Sequence, residues 1–219
     1  MAAQVWPIPV ADFFDLLGVE SSGFGLPADL SPSVTAGGDV IPHRRGARLW
    51  QGEVVLSRSE HRDIAAQTAL IEHLLEPGAS FMIYDRRLPP PQDPTQPEID
   101  WAVQPVEISA LKVNNREIGL SGLPGGFTLR RGQLLGFDYL VGPVRHAVHR
   151  IVSATVTANA QGSTGWIEVT PFIRPGAVVG TPVRFDWPAC KARMLSWSPG
   201  PGRSAVSQGG QFSWQQTLR

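Results

Sequence analysis

The sequence predicts a mainly β protein, an antiparallel β-sandwich or barrel with one flanking α-helix and long irregular arms. The first observation is residues 123–175, where Gly and Pro turn signals alternate regularly with short runs rich in Val, Ile, Thr and aromatic residues. The second is the excess of Gly (23) and Pro (20), which has no collagen period. Because only one segment has a helical period, we expect antiparallel strands joined by turns rather than βαβ units.

We expect one central domain with two appendages. Residues 1–47 are rich in Gly, Pro and Ser and are predicted to be an arm with loops. Residues 48–197 are predicted to form a single β-sandwich or barrel core. Within this core, five prolines in residues 86–101 prevent helix and ladder pairing, which predicts a long projecting contact loop. Residues 198–219 contain few branched apolar residues and are expected to be flexible or docked on a partner.

The helix is predicted over residues 60–75. Its apolar positions fall on one face at helical spacing, Ser59 is a plausible N-cap, and Pro77 with Gly78 ends it. Strands are predicted on either side of it, at 47–57 and 80–85. Further along, a pair of asparagines marks a hairpin turn between two alternating segments, namely Asn114 and Asn115.

Composition and charge limit the function classes. Lys plus Arg equals Asp plus Glu, at 19 each, so the summed charge gives no long-range attraction to nucleic acid. Charged residues make up only 17%, which favours a protein that hides surface in an assembly, although a monomer with a polar uncharged surface remains the alternative. The single Cys190 excludes an intrachain disulfide and is expected in the core beside Trp187 and Met194.

The sequence also indicates where the protein is made. The N-terminal segment lacks the positive region of a signal peptide, and Asp12 and Asp15 interrupt its apolar residues. No apolar run reaches the roughly 18 residues that span a bilayer, so we expect no membrane span. Synthesis and retention in the cytoplasm are therefore expected, unless the protein leaves as part of a particle.

Candidate chemical groups do not form a recognisable constellation. His146 and His149 would point to opposite faces of a strand, so we expect no shared metal ion. Asp85 is expected to make turn hydrogen bonds and surface pairs with the arginines that follow it. Asp138 would need a partner if buried, and Arg145 or Arg150 could supply one. Phosphate-binding and nucleophile-elbow motifs are missing from the sequence, so we expect no enzyme activity and no cofactor.

The order of four sequence pieces resembles the distal tail proteins of long-tailed bacteriophages and related gene transfer particles. The pieces are LWQGEVVL leading into EHRDIAAQTALIEHLL, PGASFMIYD, GLPGGFTLRRGQLLGFDY, and HRIVSATVTANAQGSTGWIEVTPFIRPG closing on TPVRFDWPACKARML. Together they cover about two thirds of the chain, over residues 49–195. None of them is a catalytic signature, so the likeness lies in their order and spacing.

The resemblance implies a structural virion component of the tail, made in the bacterial host cytoplasm. Such proteins form a ring, generally hexameric, that connects the tail tube protein to the hub or receptor-binding tip. The DNA passes through the ring without specific binding, and the tape measure protein is a possible further partner. Many relatives carry an added C-terminal domain that displays host-binding parts; here it is expected to be absent, which puts direct carbohydrate binding in doubt.

We expect contacts with neighbouring subunits, the tube or the hub to lie in the arms, the Pro-rich loop and the tail. Aromatic residues in such segments are typical anchors of a buried partner surface. The candidate contact residues are Trp6, Phe13, Phe14, Arg86, Arg87, Pro90, Trp101, Phe212 and Trp214.

Three alternatives remain open on the sequence. A tail tube or hub protein of the same kind of particle would share much of this architecture. A carbohydrate-binding β-sandwich module would place two or three exposed aromatic residues on one sheet face. A peptidoglycan hydrolase of a tail tip would need a carboxylate pair or a Cys/His pair in one cleft.

Overall fold

The computed structural model describes residues 5–28, 30–44, 46–94, 96–203 and 206–218. It is mainly β with antiparallel sheets and one α-helix, which confirms the predicted fold class. The chain divides into two compact units. Unit 1 comprises the described residues of 1–16, 80–192 and 218–219, and unit 2 those of 17–79 and 193–217.

This division differs from the single core expected over 48–197. The chain leaves unit 2 at residue 79, builds most of unit 1, and returns to unit 2 at residue 193. Local sequence patterns cannot predict that the chain re-enters unit 2, because the two segments of that unit are far apart along the chain. Most of the segment expected to be an arm, from residue 17 onward, is also part of unit 2.

The elements follow one another along the chain in three groups. Residues 17–79 contain β1 (Val19–Ser22), β2 (Leu30–Val34), β3 (Val40–Arg44), β4 (Gln51–Leu56), β5 (Ser59–Glu60) and α1 (His61–Leu74). Residues 80–192 contain β6 (Phe81–Ile83), β7 (Glu107–Leu111), β8 (Glu117–Ser121), β9 (Thr128–Arg130), β10 (Leu134–Tyr139), β11 (Arg145–Ile151), β12 (Thr155–Thr157), β13 (Ile167–Thr170) and β14 (Val183–Arg184). The remaining strands are β15 (Cys190–Ser198), β16 (Gly202–Arg203), β17 (Val206–Ser207) and β18 (Gln211–Gln216).

Unit 1 is a nearly closed six-stranded antiparallel barrel. Its strands follow the order β14-β10-β11-β13-β8-β7. The first and last strands of this order are joined by a bridge between Glu107 and Pro182 and by a hydrogen bond from Ile108 N to Thr181 O of 2.9 Å. Closure removes the exposed edges that an open sheet would present.

The barrel interior follows the alternation of its strands. Leu135, Phe137 and Tyr139 of β10 point inward, as do Ala147 and Ile151 of β11, and all are buried. Trp101 closes the core beside two further aromatic rings, with ring centroids 5.3 Å from Phe127 and 4.9 Å from Phe185. The predicted hairpin turn between β7 and β8 is confirmed: Asn115 has a φ of 55° and Asn114 Oδ1 accepts a 2.9 Å hydrogen bond from the backbone N–H of Arg116.

Unit 2 contains a curved sheet in which β1, β4, β18 and β15 adjoin in that order. Phe24, Trp50 and Trp214 form its aromatic core, with the Phe24 ring 4.9 Å from Trp50 and 5.1 Å from Trp214. The segment expected to be a flexible or partner-docked tail therefore supplies β18, a central strand. Its alternating residues Phe212 and Trp214 are 0% and 1% exposed.

The helix α1 lies where the sequence predicts it, one residue shorter at each end. It buries Ile71 and Leu74, whereas Leu75 lies beyond it and is 43% exposed. Glu60, not Ser59, occupies the N-cap position, and Ser59 Oγ instead lies 3.4 Å from Asp63 Oδ2. Within the part of the chain that the structure describes, no helix has the length and apolar character needed to cross a membrane.

Replacing Trp214 with Ala tests whether the C-terminal segment belongs to the core. Removing this fully buried ring should lower the free energy of unfolding of unit 2 by about 3–5 kcal/mol, since it leaves a cavity between Phe24 and the sheet. Denaturant titration monitored by circular dichroism measures the change. Leu195→Ala is the control, because Leu195 is 59% exposed, and it should cost less than about 1 kcal/mol. Equal losses for the two variants would contradict the assignment.

Candidate functional site

Five of the candidate contact residues are core residues. Phe13, Phe14, Trp101, Phe212 and Trp214 are each no more than 7% exposed. Two short 3-10 turns (Val10–Asp12 and Phe14–Leu16) place Phe13 against Phe81, 5.1 Å between ring centroids, and Phe14 against Tyr84, 5.4 Å away. These five side chains stabilise the fold and are not exposed anchors for a partner.

The remaining candidates are more accessible. Arg86 lies over the Phe14 ring, with its Cζ atom 4.4 Å from the ring centroid, and donates to the carbonyl oxygen of Phe14. Arg87 donates two 2.8 Å hydrogen bonds to the carboxylate of Asp85, which is buried. The expected turn pairing of Asp85 is therefore present, but the carboxylate lies inside unit 1. Trp6 and Pro90 are half-buried.

The Pro-rich loop folds against the barrel instead of projecting from it. Trp101 Nε1 donates a 2.6 Å hydrogen bond to Pro91 O, and Gln96 Nε2 donates a 3.0 Å bond to Gly125 O. The loop and the chain after β14 enclose a cleft of about 610 Å³. We call it the acidic cleft, because its described lining residues include three carboxylates and no basic side chain: Pro89, Pro90, Gln92, Glu98, Ile99, Asp100, Trp101 and Asp186.

A second charged surface lies where β10 ends and β11 begins. We call it the arginine end, and its residues are Tyr139, Leu140, Val141, Val144, Arg145 and Arg174. Tyr139 and Arg145 are cross-strand partners, and both the Tyr139 hydroxyl and Arg145 Nε are buried without a hydrogen-bond partner among the described residues. Burial lowers the pKa of Arg174, and the chain after it reaches Tyr139, since a Cβ at Gly176 would lie 3.4 Å from Tyr139 Cδ2. Leu140, Val141 and Val144 beside them are exposed.

The β2–β3 hairpin is a third accessible surface, in unit 2. Its register pairs Val34 with Val40 and Leu30 with Arg44 across a turn that contains Gly37 and Gly38. Four apolar side chains of this hairpin are between 44% and 67% exposed: Leu30, Val34, Val40 and Ile41. The signal was present in the sequence, since SVTAGGDVI combines a Gly turn with β-branched residues on both sides.

Asp138 has a partner, but not the one expected. His146 Nδ1 lies 2.6 Å from Asp138 Oδ1, and Arg184 lies 2.5 Å from Asp138 Oδ2, in place of Arg145 or Arg150. The strand register explains this, because His146 is directly opposite Asp138 and Arg184 lies on the neighbouring strand β14. Desolvation raises the pKa of Asp138, but the hydrogen bonds and charges of His146 and Arg184 outweigh it and lower the pKa overall.

The two histidines of β11 have different surroundings. His149 points into the barrel, stacks on Phe137 with ring centroids 5.3 Å apart, and donates from Nδ1 to Pro171 O at 2.8 Å. Its neighbour His146 faces outward to Asp138. Among the described residues, no group of three or more His, Cys, Asp or Glu side chains is arranged to hold a metal ion.

Two exposed aromatic residues flank β13 on its outward face. Trp166 is 48% and Phe172 is 37% exposed. Each ring already has a cation near its face, Lys112 Nζ at 5.4 Å from the Trp166 centroid and Arg116 Cζ at 4.6 Å from that of Phe172. These cations cover ring surface on which a sugar would stack.

Comparisons with known proteins add no assignment. The chain matches no protein-family model, and no curated protein matches it at significant similarity.

A pH titration tests the environment of His149. Burial lowers the pKa of His149 to about 4, from 6.5, so the unfolded chain takes up a proton at a pH where the folded protein does not. Stability is therefore full above about pH 6.5, and falls by up to about 1.4 kcal/mol per pH unit as the pH drops towards 4. Unfolding of unit 1 in denaturant at pH 7 and pH 5 measures the loss.

His149→Asn is the control variant, since its amide can still donate to Pro171 O but does not titrate. The difference in unfolding free energy between pH 7 and pH 5 should shrink in this variant. A pH dependence equal to that of the wild type would contradict the assignment to His149.

Proposed function

We propose that this protein is a structural virion component, a ring-forming distal tail protein that connects the tail tube to the hub or receptor-binding tip around the DNA conduit. The observation that carries the proposal is the β2–β3 hairpin with its exposed apolar side chains. The resemblance of the four sequence pieces to distal tail proteins indicates the kind of particle, a phage-like tail, to which the ring would belong.

The hairpin has no strand partner in the described part of the chain. It forms a two-stranded sheet of its own, and neither strand pairs with any other described strand. An isolated two-stranded hairpin is marginally stable in water. Exposed Val34 and Val40, at 67% and 61%, would gain burial against a neighbouring subunit.

A ring requires two different surfaces on each subunit, because every copy contacts one neighbour with one surface and the next neighbour with another. Under this proposal, the hairpin is one such surface. The summed charge of zero suits a conduit through which DNA passes without specific binding. The further partners are the tail tube protein, the hub and the tape measure protein, in a virion tail assembled in the bacterial cytoplasm.

The alternatives have weaker support. A tube or hub protein of the same particle would use the hairpin in the same way. A carbohydrate-binding module is favoured by Trp166 and Phe172 on one face of β13, but the cations near both rings argue against it. A hydrolase could use the carboxylates of the acidic cleft, yet Glu98, Asp100 and Asp186 are all exposed to solvent.

Size-exclusion chromatography with light scattering, followed by negative-stain imaging, tests the proposal. The wild type should form rings at high concentration or on addition of tube or hub protein. The variant Val34→Asp/Val40→Asp should remain monomeric with an unchanged melting temperature, since both side chains are exposed in the monomer and a charge at each disfavours their burial.

Val113→Asp is the matched control, because Val113 is 97% exposed in the β7–β8 turn, and it should assemble like the wild type. A wild type that stays monomeric at every concentration and forms no ring with tube or hub protein would overturn the proposed function.

A further inference from the structure

At the arginine end, the positive charge of Arg145 is not neutralised by any described acid. Arg145 forms no ion pair with any described residue, and it lies opposite Tyr139 in the β10–β11 register. The chain that follows Arg174 reaches the same point, at Leu140 and Tyr139. Arg145 Nε is buried without a hydrogen-bond partner among the described residues, and a carboxylate from outside would satisfy it.

Apolar side chains surround these arginines. Val141 is 94%, Val144 is 47% and Leu140 is 43% exposed. The loop after Arg174 reaches the same place, since a Cβ at Gly176 would lie 2.6 Å from Leu140 Cδ2. This loop adds Val178 and Val179, which are 62% and 60% exposed. Exposed apolar patches mark protein–protein contacts, in which arginine is enriched.

The acidic cleft has the complementary character. Glu98 and Asp186 form no ion pair with a described residue. Proline and isoleucine side chains, from Pro89, Pro90 and Ile99, supply the apolar part of its lining. Its carboxylates and apolar walls match the guanidinium groups and apolar rim of the arginine end.

The two surfaces lie at opposite ends of one barrel. Arg184 of β14 is opposite Gly136 of β10 in an antiparallel pair, so Asp186, two residues later, lies near the start of β10. Arg145 is opposite Tyr139, the last residue of β10. The length of the six-residue strand separates the two surfaces by about 17 Å. Neither surface can therefore satisfy the other within one molecule.

We propose that copies of this chain contact each other head to tail through their barrels, the arginine end of one copy receiving the acidic cleft of the next. This inference rests on the proposed ring, and it names a pair of surfaces that would hold neighbouring subunits together. A heterologous contact of this type repeats around a closed ring, whereas a contact between two like surfaces would stop at a dimer.

Site-specific cross-linking tests the contact. Cys190 is the chain's only cysteine, and burial raises the pKa of its thiol, so it should not compete with introduced cysteines. Val141→Cys and Glu98→Cys are prepared as separate proteins of different tag size and mixed with a short bismaleimide at concentrations where the wild type assembles. A mixed dimer should form, and neither variant alone should cross-link.

Charge exchange provides the second measurement. Glu98→Arg/Asp186→Arg changes two exposed carboxylates and should raise the dissociation constant for assembly about tenfold or more. Mixing the Glu98→Arg/Asp186→Arg variant with the Arg145→Glu/Arg174→Glu variant should restore pairwise association, because opposite charges then face each other again. The control Glu72→Arg/Glu76→Arg, at exposed positions of unit 2, should leave assembly unchanged.

Each unfavourable result has one meaning. Cross-linking of Val141→Cys with itself would show a contact between like surfaces and overturn the inference. Rings that persist unchanged in Glu98→Arg/Asp186→Arg, with no mixed cross-link, would overturn it while leaving the proposed function standing. A wild type that never assembles would overturn both.

Discussion

The hydrogen bonds that join residues 106–108, at the start of β7, to residues 181–183, at the start of β14, are the constraint on which unit 1 depends. They join the two ends of the six-stranded sheet, with Ile108 N bonded to Thr181 O at 2.9 Å and Val183 N bonded to Val106 O at 2.8 Å. Without them the sheet would present two open edges and its interior would reach water. In the closed barrel, one face of every strand points into a shared core, and each connecting loop lies at one end of the barrel.

Much of this architecture follows from local sequence patterns. The Asn114–Asn115 turn and the helical period of residues 60–75 depend on neighbours only a few positions apart, so the sequence predicts them correctly. The partner of Asp138 depends instead on strand register, which short patterns do not fix. The division into two units depends on a return of the chain after more than a hundred residues, which leaves no local signal.

The contact residues were harder to predict than the fold, because exposure is a property of the assembled core. Aromatic residues in a Gly-rich tail suggested partner anchors, yet QFSWQQ alternates polar and aromatic residues, and that period of two indicates a half-buried strand. Conversely, Val34 and Val40 look like ordinary strand residues, and only the tertiary structure shows that they lie outside the core. Alternation in the sequence predicts which side chains share one face of a strand, but not which part of the protein packs on that face.

The interrupted path of unit 2 has a consequence for synthesis. Strand β4 pairs with β18, so that Val54 is bonded opposite Phe212, and unit 2 cannot complete its sheet until the ribosome has made that late segment. Most of the barrel of unit 1 is made in between and can close first. During that interval Trp50 and Val54 lack the cover of β18, so their apolar side chains stay open to contacts with other chains until that strand is made.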